Sequence, residues 1–326
     1  MNPMITRGLW IPDPNFRFGT GSGTAWTEGT SMASIIDEIP TSEGSGSSIR
    51  IALDSLAQGA QEYIQTEYTP MGVAASPFLS GSSATEFLVM AVVKTENVST
   101  SNSNDIITAS LYGRTDTGSS AVSDTGITFK DTAGSYFRYS TDWTVIVGEA
   151  SLAANSGTDW YRLQLQFADD SVSSASDYLH IAWVGIAAPI DVSTPGDYFT
   201  SFYGADCSLS MQANPLGVGG LVRSFTMPWP SMDSADKDII DECIAWNSKV
   251  PRSGVSSNSN GTTQDLSNNG SAQPLIIAID RDDYKGAFYA NLAPASFAPN
   301  AVGFWPSSGA KHATALTFIE QDRPRA

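Results

Sequence analysis

The sequence has few of the residues on which common enzyme chemistries depend. It holds two cysteines and two histidines in 326 residues. The cysteines, Cys207 and Cys243, are too few for a disulfide framework or a zinc site; a bridge between them stays open, although Cys243 is expected in a core. His180 lies in an apolar strand pattern and His312 in a loop pattern, so we expect neither to act as a catalytic base. No serine has a Gly-x-Ser-x-Gly setting.

Positive charge and long apolar runs are also scarce. Lys and Arg number 17 against 34 Asp and Glu, which gives a net charge of −17. Such a balance opposes nucleic-acid binding, because lysine and arginine contacts to phosphate supply most of that affinity. No segment approaches the ~20 apolar residues of a membrane span, and no signal peptide is recognised. We therefore expect synthesis in a cytoplasm, with no nucleic-acid partner and no membrane span.

What the sequence does contain is many short strand patterns separated by serine, threonine and glycine. We predict a mostly β protein whose residues 1–195 form a jelly-roll or β-sandwich domain. Residues 87–93 and 179–188 are apolar on both faces, which predicts central strands. Residues 162–167 alternate, so one face of that strand is expected to meet water. Turns are predicted at residues 115–124, and a strand at residues 136–139.

Residues 196–326 predict a smaller α+β domain, a sheet or barrel with one helix. An alternating strand over residues 221–227 is expected to stop at Pro228 and Pro230. A helix with an apolar stripe that includes Trp246 follows up to residue 247. Further strands are predicted at residues 273–280, 286–292 and 315–321, and a long exposed loop at residues 253–272.

Carboxylates are numerous, but none forms a recognisable catalytic pair. The Asp pairs at residues 169–170 and 282–283 fall in predicted turns, where surface aspartate is the usual occupant. Asp13, Asn15 and Glu28 have oxygen atoms suited to calcium, but their spacing matches no EF-hand loop. We predict no catalytic residues, no metal site and no cofactor.

Eight tryptophans are the remaining chemical feature. Trp143 and Trp160 follow Asp142 and Asp159 at predicted strand starts, where an aromatic ring is more exposed than in a sandwich core. Sugar rings stack their C–H groups on aromatic faces. Trp143 and Trp160 are therefore the candidate sugar platform.

Three segments of the first half resemble carbohydrate-binding jelly-roll modules. They are PDPNFRFGTGSGTAW (12–26), DWYRLQLQF (159–167) and YLHIAWVGIAA (178–188). The resemblance implies a sandwich that binds sugar or serves as an interaction domain. Arg17 stands where those modules commonly carry a carboxylate that helps bind a structural calcium ion.

The second half resembles a different class, the minor-tail or distal-tail proteins at the tail tip of long-tailed bacteriophages. The resemblance lies in FTMPWPSMDSADKDIIDECIAWN (225–247), PLIIAID (274–280) and a last strand ending in Ile-Glu-Gln. It implies assembly of identical copies into a ring around the tail axis. No functional residue is carried over.

Together these patterns predict a non-enzymatic virion structural protein of a phage tail tip or baseplate. Its partners would be copies of itself, other virion tail proteins and host surface glycan. The alternative is a carbohydrate-binding or adhesin module without an assembly role. A polysaccharide hydrolase using two carboxylates is a third interpretation.

If assembly belongs to the second half, two fragments should behave differently in solution. We expect a fragment ending near Pro189 to be a folded monomer, and one beginning near Gly204 to oligomerise because its small sheet leaves edges uncovered. Light scattering on both fragments checks this. An oligomeric first fragment beside a monomeric second one would contradict it.

Overall fold

The strands of this protein were located in a computed structural model. It describes residues 4–16, 20–21, 24–29, 33–36, 48–53, 62–70, 85–115, 121–152, 158–169, 176–188, 200–201, 208–213, 221–232, 247, 255–257, 263–265, 274–278, 288–293, 300–305 and 309–320. In this part of the chain, 22 strands form sheets of 14, six and two strands, and every strand pair within them is antiparallel. The predicted mostly β fold is confirmed.

The first half contributes thirteen of these strands. They are β1 (Met4–Leu9), β2 (Trp26–Glu28), β3 (Ala33–Ile36), β4 (Ser48–Ala52), β5 (Tyr63–Thr66), β6 (Thr69–Pro70), β7 (Thr85–Glu96), β8 (Ile107–Thr115), β9 (Ala121–Thr128), β10 (Lys130–Asp131), β11 (Thr144–Leu152), β12 (Thr158–Phe167) and β13 (Tyr178–Ala188).

The second half contributes nine. They are β14 (Thr200–Ser201), β15 (Ser208–Ala213), β16 (Leu221–Met232), β17 (Val255–Ser257), β18 (Thr263–Asp265), β19 (Leu275–Ala278), β20 (Phe288–Leu292), β21 (Asn300–Trp305) and β22 (Gly309–Glu320).

Eight strands of the first half have the connectivity of a jelly roll. In the large sheet β4, β13, β7 and β11 are neighbours in that order, and in the six-stranded sheet β5, β12, β8 and β9 are neighbours. In chain order these strands change sheet at every step except β8 to β9. Two four-stranded sheets interleaved in this way, each burying one face against the other, form a double-sheet jelly roll.

The apolar pattern explains which strands are central. β7 lies between β11 and β13, and nearly every described side chain on β13 is buried, from Leu179 to Ala188. A strand covered on both faces cannot carry alternating polar residues, which is why both segments are apolar except for the buried His180. On β12, by contrast, Leu163, Leu165 and Phe167 belong to the core, as the alternation predicted.

Two local predictions in the first half are wrong. Part of the stretch predicted as turns at residues 115–124 is strand, since β9 begins at Ala121. The strand predicted at residues 136–139 is a single bridge from Lys130 to Tyr136, and Tyr136 and Tyr139 are exposed. Phe137 between them is buried, so a single side chain of this segment reaches the core.

The two halves share one sheet through β1. One edge of β1 pairs with β13, from Arg7 opposite Ala188 to Leu9 opposite Ile186; the opposite edge pairs with β19, from Met4 opposite Ala278 to Arg7 opposite Leu275. The large sheet then continues through β20, β22 and β16 to β15. A fragment ending near residue 189 would therefore keep β1 and lose β19. The domain boundary at residue 195 stays a prediction.

The strand predicted to stop at Pro228 continues to Met232, so that prediction is wrong. β16 pairs with β15 only as far as Thr226, and beyond that point its described partner is β22 alone. A register shift separates Trp229 from Met232. A proline is tolerated in such a place, because a one-sided strand with a bulge does not need every N–H.

The other predicted elements of the second half have mixed outcomes. The strands at residues 273–280, 286–292 and 315–321 are confirmed as β19, β20 and β22, and β22 includes His312, which was expected in a loop. The loop predicted at residues 253–272 contains the β17–β18 hairpin.

Trp246 and most of the predicted helix lie outside the described residues. Asn247 is helical, and its side-chain oxygen accepts a hydrogen bond from the N–H of Leu292 at 2.9 Å. No helix in the described part of the chain is long and apolar enough to cross a bilayer.

A buried ion pair ties three strands of the second half together. Arg223 on β16 and Glu320 on β22 are both almost inaccessible, and Arg223 Nη2 lies 3.0 Å from Glu320 Oε1. The guanidinium carbon also lies 4.3 Å from the ring centroid of Phe288 on β20. Removing one partner of such a pair leaves a buried charge uncompensated, so both residues depend on each other.

Tyr289 joins the two halves beneath β1. Its hydroxyl donates a hydrogen bond to the carbonyl oxygen of Leu9 at 2.6 Å and accepts one from the N–H of Ile186 at 2.9 Å. Its ring lies 5.7 Å from that of Trp183, and a Cβ at Gly8 would come within 2.9 Å of it. Burial raises the pKa of the Tyr289 phenol far above its ordinary value, and the bond from Ile186 lowers it by less. The phenol therefore stays neutral and keeps its donor.

Replacing Tyr289 by Phe should lower the free energy of unfolding by about 1–3 kcal/mol, because a buried N–H and a buried carbonyl lose a partner. Chemical denaturation measures this, with Tyr178→Phe as the control because the half-buried Tyr178 ring stacks with Arg50 through its face and should lose little. Since the folded pKa is raised, wild-type stability should fall as pH rises above the unfolded value of about 10, and less so in the variant. Equal stability of the two variants would contradict the bridging role.

Candidate functional site

The candidate site lies on the outer face of the six-stranded sheet. β12 directs Leu163, Leu165 and Phe167 into the core, so Arg162 and Gln164 lie on the opposite face. On β8 the same alternation buries Leu111 and leaves Tyr112 and Arg114 half-buried. In register, Arg114 lies opposite Trp160 and Tyr112 opposite Arg162. Aromatic and cationic side chains therefore alternate across the two strands.

Tyr68 connects these side chains. It lies between β5 and β6, both of which pair with β12. The guanidinium carbons of Arg114 and Arg162 lie 4.7 and 4.8 Å from the Tyr68 ring centroid. Arg162 also lies 4.7 Å from the ring centroid of Tyr112. One tyrosine ring thus supports two cations, each at the distance of a favourable cation–π contact.

A row of amides extends the polar surface across the sheet. Gln164 Oε1 accepts hydrogen bonds from the Tyr112 hydroxyl at 3.2 Å and from Gln166 Nε2 at 2.9 Å. Gln164 Nε2 donates to Gln65 Oε1 at 3.3 Å. Because each amide is held by its neighbour, these side chains have fixed orientations before any ligand arrives.

The surface is concave at one end. A cleft of about 440 Å³ lies there, lined by Thr27, Gln65, Thr66, Glu67, Tyr68, Arg114, Trp160 and Arg162. This volume is within the range of small-molecule sites. Among these lining residues Glu67 is the single carboxylate, and it is exposed. The cleft is thus a locally cationic spot on a protein whose net charge is −17.

The described contacts of the two arginine side chains are cation–π contacts with tyrosine rings. The Nε–H groups of Arg114 and Arg162 are buried and donate no hydrogen bond to the described residues. Neither arginine forms an ion pair with another described residue. A buried unpaired N–H is costly, and a guanidinium without a counter-ion attracts an anion. This part of the site is electrostatically incomplete by itself.

The two predicted site tryptophans lie in different sheets. Trp160 belongs to β12 and lines the cleft, but it is only 6% exposed. Trp143 precedes β11 of the large sheet and packs partly against the core, with its ring 6.3 Å from that of His180 and 5.5 Å from Lys94 Nζ. The expectation that both are exposed is wrong, because Trp160 is buried and Trp143 is half-buried against the core. A sugar platform that uses either one stays a prediction.

The other candidates from the sequence take part in local contacts. His180 is buried, with Nε2 3.1 Å from Glu96 Oε2. The carbonyl of Asp13 accepts a hydrogen bond from Trp26 Nε1 at 3.0 Å, and Glu28 accepts one from Thr20. Across the described stretches, His, Cys, Asp and Glu form no group of three suited to a metal ion.

Sequence reasoning missed Tyr68, Tyr112, Arg114 and Arg162. The alternation of RLQLQF placed Arg162 on a water-facing surface, so half of the signal was present. What the sequence does not show is that residues 68 and 112, far apart in the chain, lie beside that arginine. Strand order decides this, and strand order is a long-range property.

Comparisons with known proteins add little to this geometry. No family model matches the chain, and no curated protein matches it. Among solved structures it is similar to the botulinum neurotoxin serotype G binding domain, with 9% identity, a TM-score of 0.24, and coverage of 92% of this chain and 89% of that one. A TM-score this low supports no argument about fold or function.

Proposed function

We propose that the protein is a non-catalytic carbohydrate-binding protein whose sugar site is the cleft on the outer face of the six-stranded sheet. The observation that carries the proposal is the combination of the half-buried Tyr68 ring, two arginines and Gln65 around a space of about 440 Å³, with the Gln65 amide held by a hydrogen bond from Gln164. Sugars present both C–H faces and many hydroxyl groups. Aromatic rings match the former, and amide and guanidinium groups match the latter.

The same lining argues against a hydrolase. Glycoside hydrolysis uses two carboxyl groups, commonly about 5–10 Å apart, one on each side of the bond. The described lining residues of the cleft include one carboxylate, Glu67. A general acid without its partner does not complete either mechanism.

The test of the sugar site is a matched pair of tyrosine variants. Binding of the full chain is screened on an array of neutral, carboxylated and sulfated saccharides and then measured by calorimetry. Tyr68→Ala should weaken binding roughly tenfold or more, since losing an aromatic anchor costs more than about 1 kcal/mol. Tyr136→Ala is the control, because Tyr136 also lies near two cations, Lys130 and Arg138, but outside the cleft. No saccharide binding, or equal loss in both variants, would refute the proposal.

The same preparations should release no reducing sugar from any saccharide that binds. The expectation follows from the lone carboxylate of the cleft. A reducing-end assay over a prolonged incubation measures it. Release that disappears on substitution of one Asp or Glu would instead support the hydrolase interpretation.

A virion role at a phage tail tip is our second proposal, and the sugar site would then face the host surface. One observation favours assembly: β15 is the last described strand of the large sheet, paired with β16 alone, and Ser208 and Ser210 on it are exposed. An edge strand of this kind is a template for pairing with another chain. Closed rings of identical copies in electron micrographs would support the role, whereas a stable monomer would favour the binding module alone.

A further inference from the structure

We infer that the saccharide bound in the cleft carries a carboxylate group, held by Arg114 and Arg162. The inference rests on the proposed function and narrows it to acidic sugars, such as uronic or sialic acids. It is carried by the arrangement of the two guanidinium groups.

The positive charges of Arg114 and Arg162 lie unusually close to one aromatic ring. Two guanidinium carbons lie 4.7 and 4.8 Å from one ring centroid, that of Tyr68. Two positive charges beside one ring repel each other, and this repulsion is larger in a partly desolvated cleft than in water. A bound anion removes this repulsion. A neutral sugar does not.

The second step is the lack of a counter-ion in the protein. Arg138 lies beside Asp105, and Arg223 is paired with Glu320. Arg114 and Arg162 make no such pair with the described residues, although the chain carries 34 acidic residues. In a protein so rich in carboxylates, two arginines of one cleft that pair with none of the described ones, including the exposed Glu67 beside them, are available for a carboxylate that comes from outside.

The third step is the match of shapes. A guanidinium is planar and presents parallel N–H donors, which suits a planar carboxylate in a bidentate contact. The ring centroids of Tyr68 and Tyr112 lie 4.8 and 4.7 Å from the guanidinium carbon of Arg162, and these two contacts restrict its rotamers, so less freedom is lost on binding. The neighbouring amide of Gln65, which lines the cleft, supplies a partner for a sugar hydroxyl.

The experiment compares saccharides that differ only in the acidic group. Sialyllactose and tetragalacturonate are each compared with their own carboxyl-reduced form, by calorimetry on the full chain; the array described above covers other acidic sugars. We expect the carboxylated member of at least one pair to bind about tenfold to a hundredfold more tightly, the range for charge-assisted hydrogen bonds. Raised salt should weaken this preference.

The variants assign the effect to the two arginines. Arg114→Gln and Arg162→Gln should each remove most of the preference for the carboxylated saccharide, while Arg50→Gln should not. Arg50 is a matched control, since it lies 4.6 Å from the Tyr178 ring centroid on the other sheet. Arg162→Lys keeps the charge but not the planar fork, so it should also lose most of the preference. Thermal unfolding shows whether each variant is folded. If a glutamine variant is unfolded, the lysine variant still tests whether the planar guanidinium is needed for the preference.

The outcomes separate this inference from the proposed function. Binding that depends on Tyr68 but is equally tight for the neutral and the acidic saccharide of a pair would overturn the inference. The proposed sugar site would still be supported. A preference for sulfated over carboxylated saccharides, or one unchanged by both arginine substitutions, would also overturn it. Failure of every saccharide to bind would overturn the proposed function, and the inference with it.

Discussion

The hydroxyl of Tyr289 is the buried polar contact that reinforces the junction between the two halves of the large sheet. It bonds to Leu9 on β1 and to Ile186 on β13 at once. At this point β1 lies between a strand of the first half and a strand of the second half. A phenol beneath a sheet needs a gap in the side chains above it, and Gly8 supplies the gap. The two halves therefore share a backbone ladder and one buried polar bridge. Movement of one half relative to the other would break both.

This rigidity bears on the cleft. Its walls come from β2, β5, β8 and β12, whose inner faces pack into the core that the large sheet completes. The tyrosine and glutamine side chains on the outer face are fixed by one another. A site of this kind recognises a ligand with little rearrangement, and its selectivity is set by charge and shape that exist beforehand.

How far the sequence could predict this structure depends on the range of each interaction. The apolar stretches at residues 87–93 and 179–188 identify central strands, because burial on both faces leaves a local signature. β1 has no such signature: its MITRGL includes a charged residue and a glycine, and it becomes a strand because β13 and β19 lie on either side. Pro228 and Pro230 were given too much weight for a similar reason, since a proline stops a strand only where its missing N–H is required.

The candidate site divides in the same way. Trp160 was identified because tryptophan is rare and chemically distinctive, and it does line the cleft. Its burial was not foreseen, because the rings and guanidinium groups that cover this face come from β8 and from the β5–β6 connection. Trp143 shares its local sequence context, a preceding aspartate at a predicted strand start, yet it lies just before β11 of the other sheet. Local context places a residue on a strand, and topology alone decides which residues become its neighbours.

The position of β1 also has a kinetic consequence. Leu9 and Tyr289 are separated by 280 residues, so the strand that is synthesised first among those described can complete its pairing only when nearly all of the chain has been made. Long-range pairing of this kind raises the contact order and slows folding, since the loop entropy is lost before the contacts compensate for it. Until β19 has been synthesised, the edge of β1 that faces away from β13 is unpaired. The β19 strand of another chain can then pair with it. The feature that unites the finished molecule thus makes its folding sensitive to protein concentration.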